Sequence, residues 1–437
     1  MSKILVYTVF LSMAAAMGGL LFGFDIAVIS GTIPFLKVYF KLSESGLGFV
    51  AGVLHIGCMV GALFTGYITD KFGRRGPLLA SACIFAISSV ATGLADSHIM
   101  ILIARFIAGL AVGAASILSP MYIAEISPAK IRGRMVALNQ LTIVLGILMA
   151  YYINFLMVHW DNNWRYMFIS GAIPSGLFFL LLLFVPESPR WLAVNFKKEK
   201  ALKVLKKISG EKEAEGELER IMKGSTTDVK LGISALFKPK VRRLVLIGIG
   251  LAIFQQFSGI NTILFYGTEV FTKAGFSTES SLFQSVLIGL VNLVFTILSL
   301  WLVEKLGRKI LMLVGSLLMA VFLIAISISF QAKDVNGVLL VVLILGYIAT
   351  FATSSGPVTW VLISEIFPNK IRGLAMSVAT VFLWLACFLL TFTFPVLLKK
   401  LNASMTYMIY AVICVITFFF VLFFIRETKG KNLEEIA

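Results

Sequence analysis

The 437-residue sequence predicts an all-α membrane protein, with twelve transmembrane helices in two pseudo-symmetric six-helix bundles. Three observations predict it. Hydrophobic residues make up 59% of the chain and charged residues only 14%, with a mean hydropathy of +0.96; a water-soluble chain of this size carries far more surface charge. Dividing the sequence at charges and turn formers leaves twelve apolar stretches, each of about the 20 residues that cross a bilayer. The motifs between them also occur twice in the same order. Glu125-Ile-Ser-Pro-Ala-Lys-Ile-Arg-Gly133 returns as Glu365-Ile-Phe-Pro-Asn-Lys-Ile-Arg-Gly373, at an offset of 240. Asp70-Lys-Phe-Gly-Arg-Arg75 returns as Glu304-Lys-Leu-Gly-Arg-Lys309, at an offset of 234, and Pro186-Glu-Ser-Pro-Arg190 has a weaker echo in Arg426-Glu-Thr-Lys-Gly430. Two halves built on one plan can rock about a site between them.

The first stretch, near 9–33, is not a cleavable signal: it is too long, and its later half carries Asp25 and several glycines. The next five lie near 48–69, 76–95, 99–123, 135–158 and 166–185. The second and third are split by the Asp70–Arg75 motif, and the fourth and fifth by Glu125–Gly133. The second set lies near 244–267, 282–303, 310–330, 338–363, 374–398 and 406–425, split by the returning motifs at the matching places. Residues 1–186 thus form an N-terminal bundle and 244–425 a C-terminal one. Between them, 187–243 holds two amphipathic, charge-rich segments, Lys197–Ile208 and Glu211–Met222, expected as short helices capping the inner mouth; a solvated linker is the plainer alternative. The tail 426–437 is 12 residues, too short for a signalling domain. Gly31 to Pro34, Ser119-Pro120, Gly356-Pro357 and Pro395 interrupt the apolar pattern and are expected as bends, gates or packing kinks, because Pro removes an intrahelical hydrogen bond.

The net charge of +16 does not point to nucleic acid, because its distribution follows membrane topology. With an even number of spans, one side holds both termini and 30 of the 38 Lys and Arg residues, the other side holds 7, and Arg105 is intramembrane. The positive-inside rule puts both termini and the linker, with its 15 basic and 8 acidic residues, in the cytoplasm of a bacterial-type inner (plasma) membrane. Anionic lipid is a plausible contact for the linker. Cys58, Cys83, Cys387 and Cys414 all fall in apolar stretches without metal-ligand spacing and are expected as small packing residues. His55, His98 and His159 are scattered, so no metal or cofactor is expected.

Two side chains in the span interiors are ordinarily ionised: Asp25 in the first span and Arg105 in the fourth. Each costs about 2.5–3.5 kcal/mol at the membrane centre on insertion scales, so each is expected to face a cavity or a partner. Both fall in the outer half of the membrane and can pair. The pair either fixes helix packing or acts as a proton switch, since burial favours the neutral acid and a nearby guanidinium favours the carboxylate. A second group is amide and aromatic: Gln140, Gln255, Gln256, Asn261, Asn292, Trp360 and Trp384. Such amides are commonly helix–helix glue. The run Gln255-Gln-x-x-Gly-Ile-Asn261 is denser than glue requires, and uncharged donors and acceptors suit a polyhydroxylated neutral ligand. The duplicated motifs place Asp70, Arg74, Arg75, Glu125, Arg132, Glu304, Arg308, Glu365 and Arg372 at cytoplasmic helix ends. They are expected as electrostatic latches that hold the inner face closed; topogenic charge alone would explain the basic residues but not the acidic ones beside them.

Together these motifs resemble the sugar porter family of the major facilitator superfamily over essentially the whole chain. The matching runs are Gly66-x-x-x-Asp70-Lys-x-Gly-Arg-Arg75, Glu304-Lys-x-Gly-Arg-Lys309, Pro186-Glu-Ser-Pro-Arg190, the Gln255–Asn261 run and Glu427-Thr-Lys-Gly430. Gly-Phe-Asp25-Ile-Ala-Val-Ile-Ser-Gly31 looks most like the bacterial proton-coupled xylose, arabinose and galactose symporters, whereas facilitative animal glucose carriers usually have Asn at Asp25. The resemblance implies the major facilitator fold. It makes Asp25 the proton acceptor, Arg105 its partner, and Gln140, Gln255, Gln256, Asn261, Asn292 and Trp360 sugar contacts. The chain departs from the family at Phe265-Tyr266, where Tyr-Tyr is frequent, and at Leu383-Trp384, where Gln or Asn commonly precedes Trp. It departs also at Ile147, where the xylose symporter has a further Gln, and at Arg426, where Pro begins the final motif.

The resemblance therefore implies a monosaccharide–proton symporter working by alternating access, expected to function as a monomer. A uniporter with a structural Asp25 and a membrane sugar sensor are the rivals. No paired acids and no Ser/His or Cys/His constellation appear in the spans, so no catalytic residue is expected.

Overall fold

The structure is a computed structural model that describes residues 3–128, 131–227, 236–332, 335–367, 371–427 and 429. Parts of the 187–243 linker and most of the 426–437 tail, including Thr428 and Gly430 of the final motif, lie outside the described residues, as do Ala129-Lys130 and Asn369-Lys370 of the duplicated loops.

The first half is α1 (Lys3–Tyr39), α2 (Glu44–Phe72), α3 (Arg75–Gly93), α4 (His98–Ile126), α5 (Arg132–Leu156) and a sixth span in two pieces, α6 (Asn163–Ile169) and α7 (Ala172–Leu183). Three short helices follow: α8 (Pro189–Val194), α9 (Lys198–Ser209) and α10 (Glu211–Thr227). The second half is α11 (Pro239–Phe257) with α12 (Ile260–Lys273), then α13 (Thr278–Leu306), α14 (Arg308–Ser329), α15 (Gly337–Thr353) with α16 (Ser355–Glu365), and α17 (Arg372–Phe424). Among the described residues eleven segments are long and apolar enough to cross a membrane, and α17, at 53 residues, folds into the last two spans at Asn402. Asn402 sits at φ 65°, and its side chain accepts from the Met405 N–H, which starts the twelfth span as a fresh helix. Helices are the form such a chain must take, because lipid offers no partner to a bare N–H or C=O.

Side chains sort by face. Ile87, Ile103, Val321 and Val342 point outward, where lipid would meet them, while glycines and other small residues line the helix–helix seams. Between α2 and α4 the backbones touch: a Cβ on Gly57 would strike the Phe106 carbonyl, one on Gly109 the Leu54 carbonyl, and one on Gly113 the Cys58 carbonyl. Between α1 and α5, Gly23 lies on the Ile143 carbonyl and Gly146 on the Leu20 carbonyl. We expect Gly109→Val to cost about 1–3 kcal/mol by overpacking the α2–α4 seam. Thermal unfolding in detergent would read this, and an unchanged midpoint would contradict the close approach.

Three of the four expected proline points lie inside unbroken helix. α1 runs unbroken through Gly31 and Pro34, α4 through Pro120 and α17 through Pro395. A single missing hydrogen bond in a long helix leaves its neighbours intact. The fourth, Gly356-Pro357, does mark an interruption: α15 and α16 part at Ser354 (φ −125°, ψ −96°), and Pro357 sits in the first turn of α16, where its missing N–H costs nothing. The seventh span breaks at Ser258-Gly259, which no proline marks, and Asn402 divides the last two spans. Gly259, at φ +94°, takes a left-handed conformation that a side chain would resist, and a Cβ there would meet the Tyr410 ring. The linker helices pack on the first half at the face that carries the termini. Leu205, Ile208 and Ala214 are buried there in one cluster with Leu11, and Gly210 lies against Ile4.

Candidate functional site

Asp25 and Arg105 meet. The Arg105 Nη2 lies 3.3 Å from Asp25 Oδ2, with side chains 1% and 6% exposed respectively. The guanidinium is held from three sides. Its Nε donates to the Val50 carbonyl at 3.1 Å, its Nη2 to Asp25, and its Cζ lies 5.5 Å from the centre of the Phe168 ring. The glycine seams make this possible, because they bring α2 close enough to α4 for the Val50 carbonyl to be in reach.

Beside the pair, between the halves, is a cavity with about 730 Å³ of atom-free space, open solvent included. All seven amide and tryptophan residues singled out in the sequence line it: Gln140, Gln255, Gln256, Asn261, Asn292, Trp360 and Trp384. The breaks at Gly259 and Ser354 put polar side chains and backbone on its wall. Gln255 Nε2 donates to the Ser355 and Gly356 carbonyls at 2.9 and 3.1 Å, in the first turn of α16 just after the break at Ser354. Gln256 Nε2 reaches Gln255 Oε1 at 3.4 Å, and Asn261 Nδ2 donates to Gln256 Oε1 and to the Cys387 sulfur. The amides on this wall thus form a chain. Gln140 and Asn292 make no hydrogen bond among the described residues, so their amides are available to a ligand. Among the described residues no group of three or more His, Cys, Asp or Glu is placed to hold a metal.

A model of the family described as "Sugar (and other) transporter" matches residues 11–437. The chain belongs to that family. As a sugar porter of the major facilitator superfamily it is 42% identical to the arabinose-proton symporter of Bacillus subtilis, over 98% of this chain and 94% of that one. It is 40% identical to the D-xylose-proton symporter of Escherichia coli, over 98% and 95%. The partially occluded, inward-open structure of the Escherichia coli xylose transporter superposes with a TM-score of 0.88 at 38% identity, covering 98% of this chain and 100% of that chain.

The porter's departures from its family fall unequally. Leu383 and Ile147 line the cavity as apolar wall. Phe265 does not: it is fully buried behind the wall with its ring 5.1 Å from that of His55. The hydroxyl missing at Phe265 is therefore not a group missing from the cavity surface.

The duplicated charges pair within each half, and they pair twice over. Arg74 makes a two-pronged bridge to Glu125, with Nε to Oε2 at 2.9 Å and Nη2 to Oε1 at 2.8 Å, and Arg308 Nη2 reaches Glu365 Oε1 at 2.9 Å. Arg132 bonds the Ser127 carbonyl and Arg372 the Phe367 carbonyl. Arg75 bonds the carbonyls of Leu182 and Leu183, and Lys309 that of Leu422. Asp70 and Glu304 are exposed, and the Asp70 carbonyl accepts from Trp191 Nε1. Among the described residues, these pairs tie the ends of one half together.

Several participants escaped the sequence reading. Glu187 accepts from the backbone N–H groups of Arg74 and Arg75, and Glu427 does the same for Arg308 and Lys309. Their motifs were visible in the sequence, but not their role as caps. On the face opposite the termini, cross-half contacts gather: Ser30 Oγ to Thr268 Oγ1 at 3.3 Å, Tyr151 Oη donating to the Leu264 carbonyl at 2.7 Å, and Lys37 Nζ to Glu269 Oε1 at 3.9 Å. Glu269 lies just beyond the apolar stretch drawn at 267, so it was not counted as intramembrane. His55 also lines the cavity, and its position inside the stretch 48–69 was the signal to look for. Of the cysteines, Cys58, Cys387 and Cys414 are buried, whereas Cys83 is exposed on the outer surface of α3.

Proposed function

We propose that this porter imports a monosaccharide, a pentose or a hexose, together with protons by alternating access. One observation carries the reading. A buried carboxylate–guanidinium pair lies beside an amide-lined cavity between two rocking halves, on the helix whose Phe22 and Ile26 form part of the cavity wall. Asp25 takes a proton, Arg105 governs its release, and Gln140, Gln255, Gln256, Asn261, Asn292, Trp360 and Trp384 hold the sugar. Sugar–proton symport by the Bacillus and Escherichia relatives supports both parts of the reading.

The moving units are 1–186 and 244–425, joined through 187–243. The positive-inside rule places the termini in the cytoplasm of a bacterial plasma membrane, so the bonded face is the outer one and this state opens inward, in accord with the conformation of the matched xylose transporter. Asp70, Arg74, Arg75, Glu125, Arg132, Glu304, Arg308, Glu365 and Arg372 serve the cytoplasmic gate by holding the helix ends of each half as a unit. The transporter works as a monomer in lipid, without cofactor or catalytic chemistry, since differential affinity for the two states suffices.

Sugars added singly to cells or vesicles, with external pH recorded, test the reading. One sugar should alkalinise the medium while it enters. Entry without alkalinisation would indicate facilitated transport, and binding without entry a sensor.

A further inference from the structure

His55 is 1% exposed, yet it lines the cavity. Its Nδ1 lies 3.1 Å from the Gly52 carbonyl of its own helix. A carbonyl can only accept, so Nδ1 carries the hydrogen, and the neutral ring presents Nε2 as a lone pair. That Nε2 is buried with no hydrogen-bond partner. Trp384 Nε1, a donor only, is likewise buried without a partner on the wall of the same cavity. The two rings are neighbours, with centroids 6.0 Å apart and planes inclined at 35°. An acceptor and a donor thus stand side by side, one from each half, and both lack the group that buried polar atoms ordinarily have.

We infer that His55 and Trp384 together read one hydroxyl of the sugar in both senses. The hydroxyl donates its hydrogen to His55 Nε2, and its oxygen accepts from Trp384 Nε1–H. A single oxygen forming two hydrogen bonds of about 2.8–3.0 Å spans the gap between such neighbours. The inference rests on the sugar-binding reading above and deepens it. His55 becomes a specificity residue of the first-half wall, adding to Gln140 on a side where Ile147 is apolar. The contact also joins the halves through the ligand, since His55 lies on α2 and Trp384 on α17.

Binding of the transported sugar and of its monodeoxy and monofluoro derivatives, measured on the purified full-length protein, tests this. One position should stand out, its deoxy form binding about 30-fold more weakly, the size of two buried hydrogen bonds. A fluorine there can accept but not donate, so it should lose the His55 contact alone. In His55→Phe the fluoro form should bind as well as the parent sugar, and in His55→Gln the discrimination should partly return. With 15N-labelled histidine in the wild-type protein, the Nε2 resonance of His55 should shift with the sugar and not with that deoxy form, which needs no variant to fold. A hydroxyl profile identical in wild type and His55→Phe, or a silent Nε2 resonance with sugar bound, would overturn the inference and leave sugar transport standing. If the wild type binds no sugar, both readings fall.

Discussion

Asp25→Asn in sealed vesicles should exchange sugar across the membrane at close to the wild-type rate and accumulate none against a gradient. Each proton moving down 100 mV supplies about 2.3 kcal/mol, enough for roughly 50-fold accumulation; the variant should stop at about onefold. The amide keeps the shape of the side chain 3.3 Å from Arg105 but can no longer gain or lose the coupling proton. Wild-type uptake should also rise as the external solution is acidified, and the variant's should not. Uphill uptake by Asp25→Asn equal to that of wild type would remove Asp25 from the coupling mechanism and leave it a packing residue.

Removing the other partner has a different signature. Arg105→Leu deletes a guanidinium that is 1% exposed and leaves Asp25, 6% exposed, without its counter-ion. Breaking a buried pair from one side costs about 3–5 kcal/mol when the remaining group must stay charged. Here the acid can instead hold its proton, which would leave a carrier that exchanges sugar but no longer releases the proton. The stability cost therefore depends on Asp25. Thermal unfolding of Arg105→Leu, Asp25→Asn and the double variant closes a cycle in which the double should be more stable than Arg105→Leu alone. Strict additivity would mean that the two side chains, though close, do not act on each other. The Val50 carbonyl loses its guanidinium donor in both arginine variants, so that loss cancels in the comparison.

The spans and the chemistry of the site were legible because both depend on rare events in an apolar sequence. An Asp and an Arg inside membrane-length stretches, or two adjacent glutamines, stand out against Leu, Ile and Phe, and every such amide singled out proved to lie on one cavity. The exact course of the backbone was not legible. Proline marks a lost hydrogen bond and so suggests breaks at Pro34, Pro120, Pro357 and Pro395; the tenth span does part beside Pro357, at Ser354, whereas the helices run through the other three. Which charges pair was equally hidden, since a motif gives the order of residues and not the direction of a side chain. Arg74 could have crossed to the other half; instead it turns to Glu125 on its own side. A lone histidine such as His55, with no ligand cluster in the sequence around it, carries a weak signal even inside a span.

The Gln255 amide makes the second half responsive to what it binds. Both hydrogens of its NH2 group are engaged by the Ser355 and Gly356 carbonyls, which holds the bend of the tenth span in place. A sugar oxygen that draws one of those hydrogens away would leave the carbonyl to its own helix and remove one tie between α11 and α16. Ligand and helix compete for one nitrogen. Were the proposed sugar to engage Gln255, occupancy of the cavity and the setting of α16 against α11 would for that reason vary together.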